Sequence, residues 1–347
     1  MNNDNHLYFN IVNQEYMPYQ PQLYKDLEKC QSFKKLWENH GLKLYKKDPQ
    51  AEFEKLKKLG IKIITILDAE YPESLKNIPN PPLGFYLLGE MPLNFPLAIV
   101  GTRKAGHYGL SIATKFAKAL AGLGVVIVSG LAYGIDSAAH KGTVEIGGKT
   151  IAVLGEGIDL VLDSPKRNLV AQILETGGGV ISEFPLGAGG LKGNFPLRNR
   201  IVSGLSLGTI VIEAPIDSGA LITARLAMEQ GKEVFVVPAE IVNKNFEGSH
   251  RLIQQGAKLI TTIDDILTEF DFHNTKADAK AYNELFKLKL SPAEEEIFNA
   301  LKIESLDLMG LQEELDMSTG ELLSLLTHLE IKGIIKNIGG KFICTGS

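Results

Sequence analysis

The sequence predicts an α/β protein built on a doubly wound, mostly parallel sheet, with a small helical region before it and a second helical unit after it. Three observations predict this. Short apolar runs recur between residues 97 and 261, amphipathic helical patterns separate most of them, and many of the 35 glycines fall between the runs. Strands that alternate with helices imply parallel pairing, with both faces of the sheet covered.

In order, the strand candidates are Leu97–Gly101, Val125–Ser129, Thr150–Leu154, Gly179–Ser182, Thr209–Glu213, Glu233–Val237 and Lys258–Thr261. Helical periodicity is clearest over Leu110–Leu123 and Leu221–Gln230. Before the sheet, residues 1–60 carry charged helical stretches at Tyr24–Leu36 and Pro49–Leu59, with the sole tryptophan, Trp37. The α/β domain is expected over 61–270, and a polar linker over 271–290. In the last unit, 291–347, Ser291-Pro-Ala-Glu reads as a capping box that opens a helix. Asp307–Leu315 and Ser318–Lys332 then give a helix–turn–helix pattern, and Ile334–Ile343 a short two-stranded wing.

Composition narrows the function classes. Of the 347 residues, 44% are apolar, enough for a large core. The two cysteines, Cys30 and Cys344, lie far apart and show no metal-ligand spacing, so no disulfide framework or zinc site is expected. The polar N-terminus and the absence of a long uncharged apolar run predict a soluble, reduced, cytoplasmic protein with no membrane partner. Net charge is −5, yet residues 97–263 hold 16 basic and 13 acidic side chains, against 4 and 10 in 291–347. A mildly basic middle and an acidic end are separate surfaces, so the overall charge does not exclude nucleic acid.

The densest functional signal is Leu191–Arg200, where Lys192, Arg198 and Arg200 surround Phe195. Gly193 and Pro196 keep this segment out of a helix interior, so it reads as a loop. Cations take phosphates and an exposed ring stacks on any base; the competing reading makes Phe195 core and the cations ordinary surface charge. Gly101–Gly109 follows a strand and opens a helix, so its amides favour an anion, and Arg103 is either a phosphate ligand or the partner of a local acid. It has neither the G-x-G-x-x-G spacing nor a P-loop's Gly-Lys-Ser/Thr, so ATP hydrolysis has no motif. In Ser129–His140, Asp136 and His140 share a helix face; an acid–base pair with Ser129 as nucleophile can be drawn, but without a nucleophile elbow the pair reads as a turn brace. Glu213–Ala224 offers Ser218 and Gly219 as a further small-residue anion cradle.

In order, Asp68–Leu75, Pro81–Gly89, Val100–Arg103, Ser129–Asp136, Ile151–Gly155, Ser182–Pro185, Phe195–Ile201 and Ser218–Ala224 resemble the DNA-processing protein A (DprA/Smf) family of bacteria, over roughly 65–265. The resemblance implies an extended Rossmann-like domain that binds single-stranded DNA, shields incoming strands and helps load the RecA recombinase in natural transformation. No cofactor and no catalytic residue follow from it, and a homodimer is expected. Transferred by position, the DNA-binding set comprises Gly101, Thr102, Arg103, Lys192, Phe195, Arg198, Asn199, Arg200, Ser218 and Gly219. One of Arg198 and Arg200 is expected to contact phosphate while the other holds the loop. The chain departs from the family at Asp163–Asn168, where Tyr-Pro is usual before the asparagine, at Pro238-Ala239 and at His250; the 238–250 loop therefore carries no transferred contact.

The tail resembles the family's winged-helix domain. Its second helix, over Ser318–Glu330, bears two acids and no Lys or Arg. Phosphate would repel that face, so a protein-interaction module is expected rather than a duplex reader. The alternative function is a phosphoribohydrolase-like nucleotide-processing enzyme on the same scaffold, but its Pro-Gly-Gly-x-Gly-Thr pattern is absent and Glu213 has no such glycine turn after it.

Overall fold

A computed structural model describes residues 3–16, 21–40, 49–270, 291–315, 317–331 and 335–344. The described residues form two compact units, one within 3–270 and one within 291–344. The predicted linker, 271–290, lies outside them.

The first unit opens with four helices, α1 (Asn3–Tyr16), α2 (Pro21–Cys30), α3 (Phe33–Asn39) and α4 (Pro49–Lys58). The stretch expected as one helix over Tyr24–Leu36 breaks between α2 and α3. Gln31 takes φ 50° there, and Ser32 caps α3 by accepting from the Lys35 amide. Next come β1 (Ile61–Thr65), α5 (Glu73–Lys76), β2 (Gly84–Gly89), β3 (Pro96–Val100), α6 (His107–Gly122), β4 (Val126–Ser129) and α7 (Ile135–Glu145). The chain continues through β5 (Thr150–Leu154), α8 (Ile158–Leu162), α9 (Arg167–Glu175), β6 (Gly179–Ser182), α10 (Asn194–Leu205) and β7 (Gly208–Val211). It closes with α11 (Gly219–Glu229), β8 (Glu233–Val236), α12 (Glu247–Gln254), β9 (Lys258–Leu259) and α13 (Asp264–Leu267).

All nine strands join one sheet in the order β1-β2-β6-β5-β4-β3-β7-β8-β9. The seven from β6 to β9 are parallel, as predicted; β1 and β2 add antiparallel at the β6 edge. From β3 the chain winds outward through β4, β5 and β6, then returns to lay β7, β8 and β9 on the other side. The switch in winding direction lies between β3 and β7, whose side-by-side register pairs Val100 with Val211.

Both faces are covered by apolar packing. On one, Ile201, Val202 and Leu205 of α10, Ala220 and Ala224 of α11 and Leu252 of α12 meet Val100, Val128 and Val153. On the other, Phe9, Leu27, Phe33 and Leu56 from the N-terminal helices share a core with Ile61, Ile63, Tyr86, Leu154 and Ile173. Polar pins fix that attachment: the Tyr86 hydroxyl donates to Asn10 Oδ1 at 2.7 Å, and the Asn13 amide donates to the Glu183 carbonyl at 2.7 Å.

In the second unit a helix over Pro292–Ile303 starts with the predicted capping box, Ser291 and Glu294 satisfying each other's amides. Helices Leu308–Leu315 and Thr319–Ile331 follow, then a hairpin of Ile335–Ile338 and Lys341–Cys344. A third strand, Leu306–Asp307, pairs with the hairpin's second strand. Leu311, Leu322, Leu326, Leu329 and Phe342 form its core. Among the described residues of both units, no helix is long and apolar enough to cross a membrane.

Candidate nucleic-acid interface

In a doubly wound sheet, ligands bind beyond the carboxyl ends of the strands at the switch in winding direction, here between β3 and β7. Two segments meet there: Gly101–Gly109 after β3 and Ile212–Ser218 after β7. They are closed together by the Thr102 amide, which donates to the Glu213 carbonyl at 2.7 Å. The Glu213 carboxylate, 1% exposed, accepts from the Gly106 amide at 3.0 and 3.1 Å and from the Asn245 side-chain amide at 2.8 Å. A Cβ at Gly109 would stand 2.0 Å from Glu213 Oε2, so that glycine makes room for the carboxylate. The anion expected at the start of α6 is therefore a side chain of the protein itself. Thr102 is equally committed: it is buried, and its hydroxyl accepts from the Lys104 amide at 3.2 Å. Gly101 is packed on Ile135, whose Cγ1 would lie 2.4 Å from a Cβ there.

Arg103 and Lys104 leave this turn for solvent, and the Arg103 guanidinium carbon lies 4.6 Å over the centroid of the Phe195 ring. Phe195 itself is half-buried, its ring edges against Gly155 and Gly190. The reading of Leu191–Arg200 as a loop is corrected here. Only Leu191–Gly193, with Lys192 exposed, lie outside the helix, whereas Phe195 and Pro196 sit in the first turn of α10. Proline there needs no amide partner and has the φ a helix requires, so Pro196 begins the helix instead of breaking it. The entry is fixed by the Asn194 amide on the Leu191 carbonyl at 3.0 Å and the Asn194 side chain on the Gly189 carbonyl at 3.1 Å.

The two remaining arginines face inward. Arg198, 4% exposed, donates through Nη1 to the Gly130 carbonyl at 2.7 Å and to the Val153 carbonyl, stitching α10 to the ends of β4 and β5. Burial lowers its pKa to about 10, against the pull of the nearby Asp136 carboxylate, so it stays charged at neutral pH. Arg200, 5% exposed, makes a bidentate pair with Glu183 at 2.6 and 2.8 Å, and its Nε donates to the Asn80 carbonyl at 2.9 Å. Both guanidinium groups are thus occupied by the protein's own acceptors. Asn199 between them is half-exposed; its oxygen accepts from Arg198 Nε at 3.1 Å and its amide reaches the Gly219 carbonyl at 3.4 Å. That contact brings the Ser218–Gly219 turn to α10, where Ser218 caps α11 by accepting from the Ala220 amide at 3.2 Å.

Asp136 braces a turn, with its Oδ2 accepting from the Gly130 and Ala132 amides at 3.1 and 3.4 Å. Burial raises its carboxyl's pKa, against the opposing Arg198 charge. His140 Nδ1 instead meets Thr150 Oγ1 at 2.7 Å, and burial holds the ring's pKa down to about 3. Ser129 is fully buried and donates to the Ile99 carbonyl at 2.6 Å. These three groups form no nucleophile–base relay. Among the described residues, no group of three His, Cys, Asp or Glu side chains is placed to hold a metal ion.

Two side chains on the same edge were not singled out by the sequence. Tyr133, 60% exposed, stands on the β4–α7 loop with the Lys166 ammonium 4.9 Å from its ring centroid. The adjacent Lys166-Arg167 charges after Pro165 were the available signal. The departures at Ala239 and His250 meet each other, since the histidine Nε2 lies 3.1 Å from the Ala239 carbonyl.

The DNA recombination-mediator protein A family matches residues 62–271. Protein Smf of Escherichia coli is 46% identical over 204 residues, which are 58% of this chain and 54% of that protein, so the chain spans about half its length. DNA processing protein DprA of Streptococcus pneumoniae is 44% identical over 211 residues, 60% of this chain and 74% of that one. The crystal structure of the pneumococcal protein superposes with a TM-score of 0.56 at 35% identity, covering 77% of this chain and 93% of that one. DNA processing protein A of Helicobacter pylori, described as having a distinct mode of binding single-stranded DNA, gives 0.53 at 29% identity over 60% and 95% of the two chains. With the fold, the ordered motifs and these matches in agreement, the chain belongs to the DNA recombination-mediator protein A family.

Proposed function

We propose that this chain is a non-enzymatic recombination mediator that binds single-stranded DNA, shields incoming strands and helps load the RecA recombinase in natural transformation, acting in the cytoplasm as a homodimer. One observation carries the reading: the Arg103 guanidinium over the half-buried Phe195 ring, at the carboxyl edge of the sheet, with Lys192 exposed three residues before the ring. Guanidinium planes and aromatic rings are the surfaces on which single-stranded bases stack, and both cations neutralise phosphate. The single-strand binding attributed to the Helicobacter pylori relative supports the same chemistry here.

Arg103, Lys192 and Phe195 are the contacts with DNA. Arg198 and Arg200 hold α10 in place, and Asn199 ties the Ser218–Gly219 turn to it. The internal commitments of Ser129, Asp136, His140 and Glu213 support the non-enzymatic reading. The second unit serves as a winged-helix-like module for protein contacts, because its Thr319–Ile331 helix carries no Lys or Arg.

The test is fluorescence anisotropy of a labelled oligothymidine beside a duplex of equal length and a labelled mononucleotide, across salt, with Lys192→Ala. The expected result is tight single-strand binding that weakens with salt and collapses in the variant. Binding of the mononucleotide alone would instead place the chain among nucleotide-processing enzymes.

A further inference from the structure

The edge that carries Arg103 and Phe195 also carries a second cation–aromatic pair, Lys166 and Tyr133. The β4–α7 loop presents Tyr133 on a constrained backbone: Leu131 takes φ 53° and Gly134 takes φ 78°. At Gly134 an added Cβ would lie 2.3 Å from the Thr102 carbonyl oxygen and 2.8 Å from that of Arg103, so the loop rests directly on the Arg103 turn. Lys166 is half-exposed and comes from the turn that starts α9, beyond β5. Burial depresses the ammonium's pKa most; the Glu156 and Asp136 carboxylates oppose that, and Arg198 and Arg103 add to it. All four charged groups therefore lie within electrostatic reach of Lys166. Arg103 and Tyr133 lie in the loops after the neighbouring strands β3 and β4, about 5 Å apart in the sheet, which brings the two pairs to one edge.

We propose that Tyr133 and Lys166 form a second nucleotide platform on this edge, with the ring stacking on the base next to the one held at Phe195 and the ammonium taking a phosphate. The inference rests on the single-strand reading above and extends the site from one nucleotide to at least two. The mostly exposed ring has a face for a base, and the lysine on its other side is already placed as a counter-charge.

The test titrates the full chain with oligothymidines of increasing length, comparing wild type with Tyr133→Ala, Tyr133→Phe, Lys166→Gln and Phe195→Ala. Tyr133→Ala should weaken a long oligonucleotide by roughly 5- to 150-fold, the value of one stacked base, and leave the shortest one that binds unchanged. Tyr133→Phe should keep wild-type affinity at every length. Lys166→Gln should flatten the slope of log affinity against log salt by about 0.7, the loss of one phosphate contact on a single strand. Wild-type affinity of Tyr133→Ala at all lengths, while Phe195→Ala weakens binding, would overturn the second platform and leave the proposed function standing. Equal weakening at every length by Tyr133→Ala and Tyr133→Phe would also overturn it. If the wild-type chain bound no oligothymidine, the single-strand reading would fail first.

Discussion

Replacing Arg200 separates two roles that its place in the family's Arg-Asn-Arg run leaves open: holding phosphate, or holding the protein. Its guanidinium makes two hydrogen bonds to Glu183, at 2.6 and 2.8 Å, between side chains only 7% and 3% exposed. Arg200→Ala would strand the Glu183 carboxylate in the interior, a change that costs about 3–5 kcal/mol. Burial already raises the pKa of that carboxyl above its usual 4.5, and Arg200 is what opposes it. With the arginine gone the value rises further. A raised carboxyl favours folding below its unfolded value and loses that contribution as pH climbs through the folded value. The variant's deficit should therefore be smallest below pH 4.5 and grow towards neutrality. A matched Glu183→Leu/Arg200→Met variant replaces the pair with apolar groups of similar size and should recover most of the stability. Urea unfolding from pH 4 to 8 measures the first effect, and oligothymidine anisotropy on the double variant measures the second. We expect affinity within twofold of wild type. Native stability with a tenfold or greater loss of affinity would show that Arg200 touches DNA, refuting its assignment as a brace.

Four shorter predictions follow from the same geometry. Phe195→Ala should weaken single-strand binding by roughly 5- to 150-fold in anisotropy, with unfolding measured in parallel to confirm an intact domain. Gly134→Ala forces a side chain into φ 78° against two backbone carbonyls, so it should lower stability by about 2 kcal/mol or more and weaken DNA binding through the Arg103 turn. His140, held down to about 3 by burial, favours the fold above the imidazole's ordinary 6.5 and loses that contribution as pH falls towards 3. This is a slope of at most about 1.4 kcal/mol per pH unit, which His140→Gln should flatten in acid unfolding curves. Removing one acidic charge from the second unit with Glu321→Gln should leave oligothymidine affinity within twofold, because that helix is assigned to protein contacts.

The parallel strands were legible because burial on both faces turns them into continuous apolar runs; Thr150–Leu154 and Gly179–Ser182 match end to end. β1 and β2 were not read as strands. Lys62 interrupts β1, and β2 pairs with β6 some 90 residues later, a partnership that no local pattern announces. Arg103 and Phe195 were singled out by residue type and position, and their contact across 92 residues appears only in the structure. Whether a cation faces water is a tertiary property. Arg198 and Arg200 look like Lys192 in the sequence and turn inward because main-chain carbonyls and Glu183 wait beneath α10. Pro196 was read as a helix breaker because its effect depends on which turn of the helix it occupies.

The carboxylate of Glu213 at the head of α6 has a consequence for selectivity in a cell crowded with free nucleotides. A scaffold of this type ordinarily offers that spot to a small phosphorylated metabolite, which would compete with any larger ligand. Here the seat is filled from within by a group tethered through the backbone, whose effective concentration no diffusible anion matches. On the proposed reading, recognition falls to the neighbouring exposed edge, where a lone nucleotide would make one stack and few ionic contacts and leave readily. A strand that engages several such contacts at once dissociates only when all of them let go. On the proposed reading, a preference for a polymer over a free nucleotide follows from the glutamate that fills the head of α6.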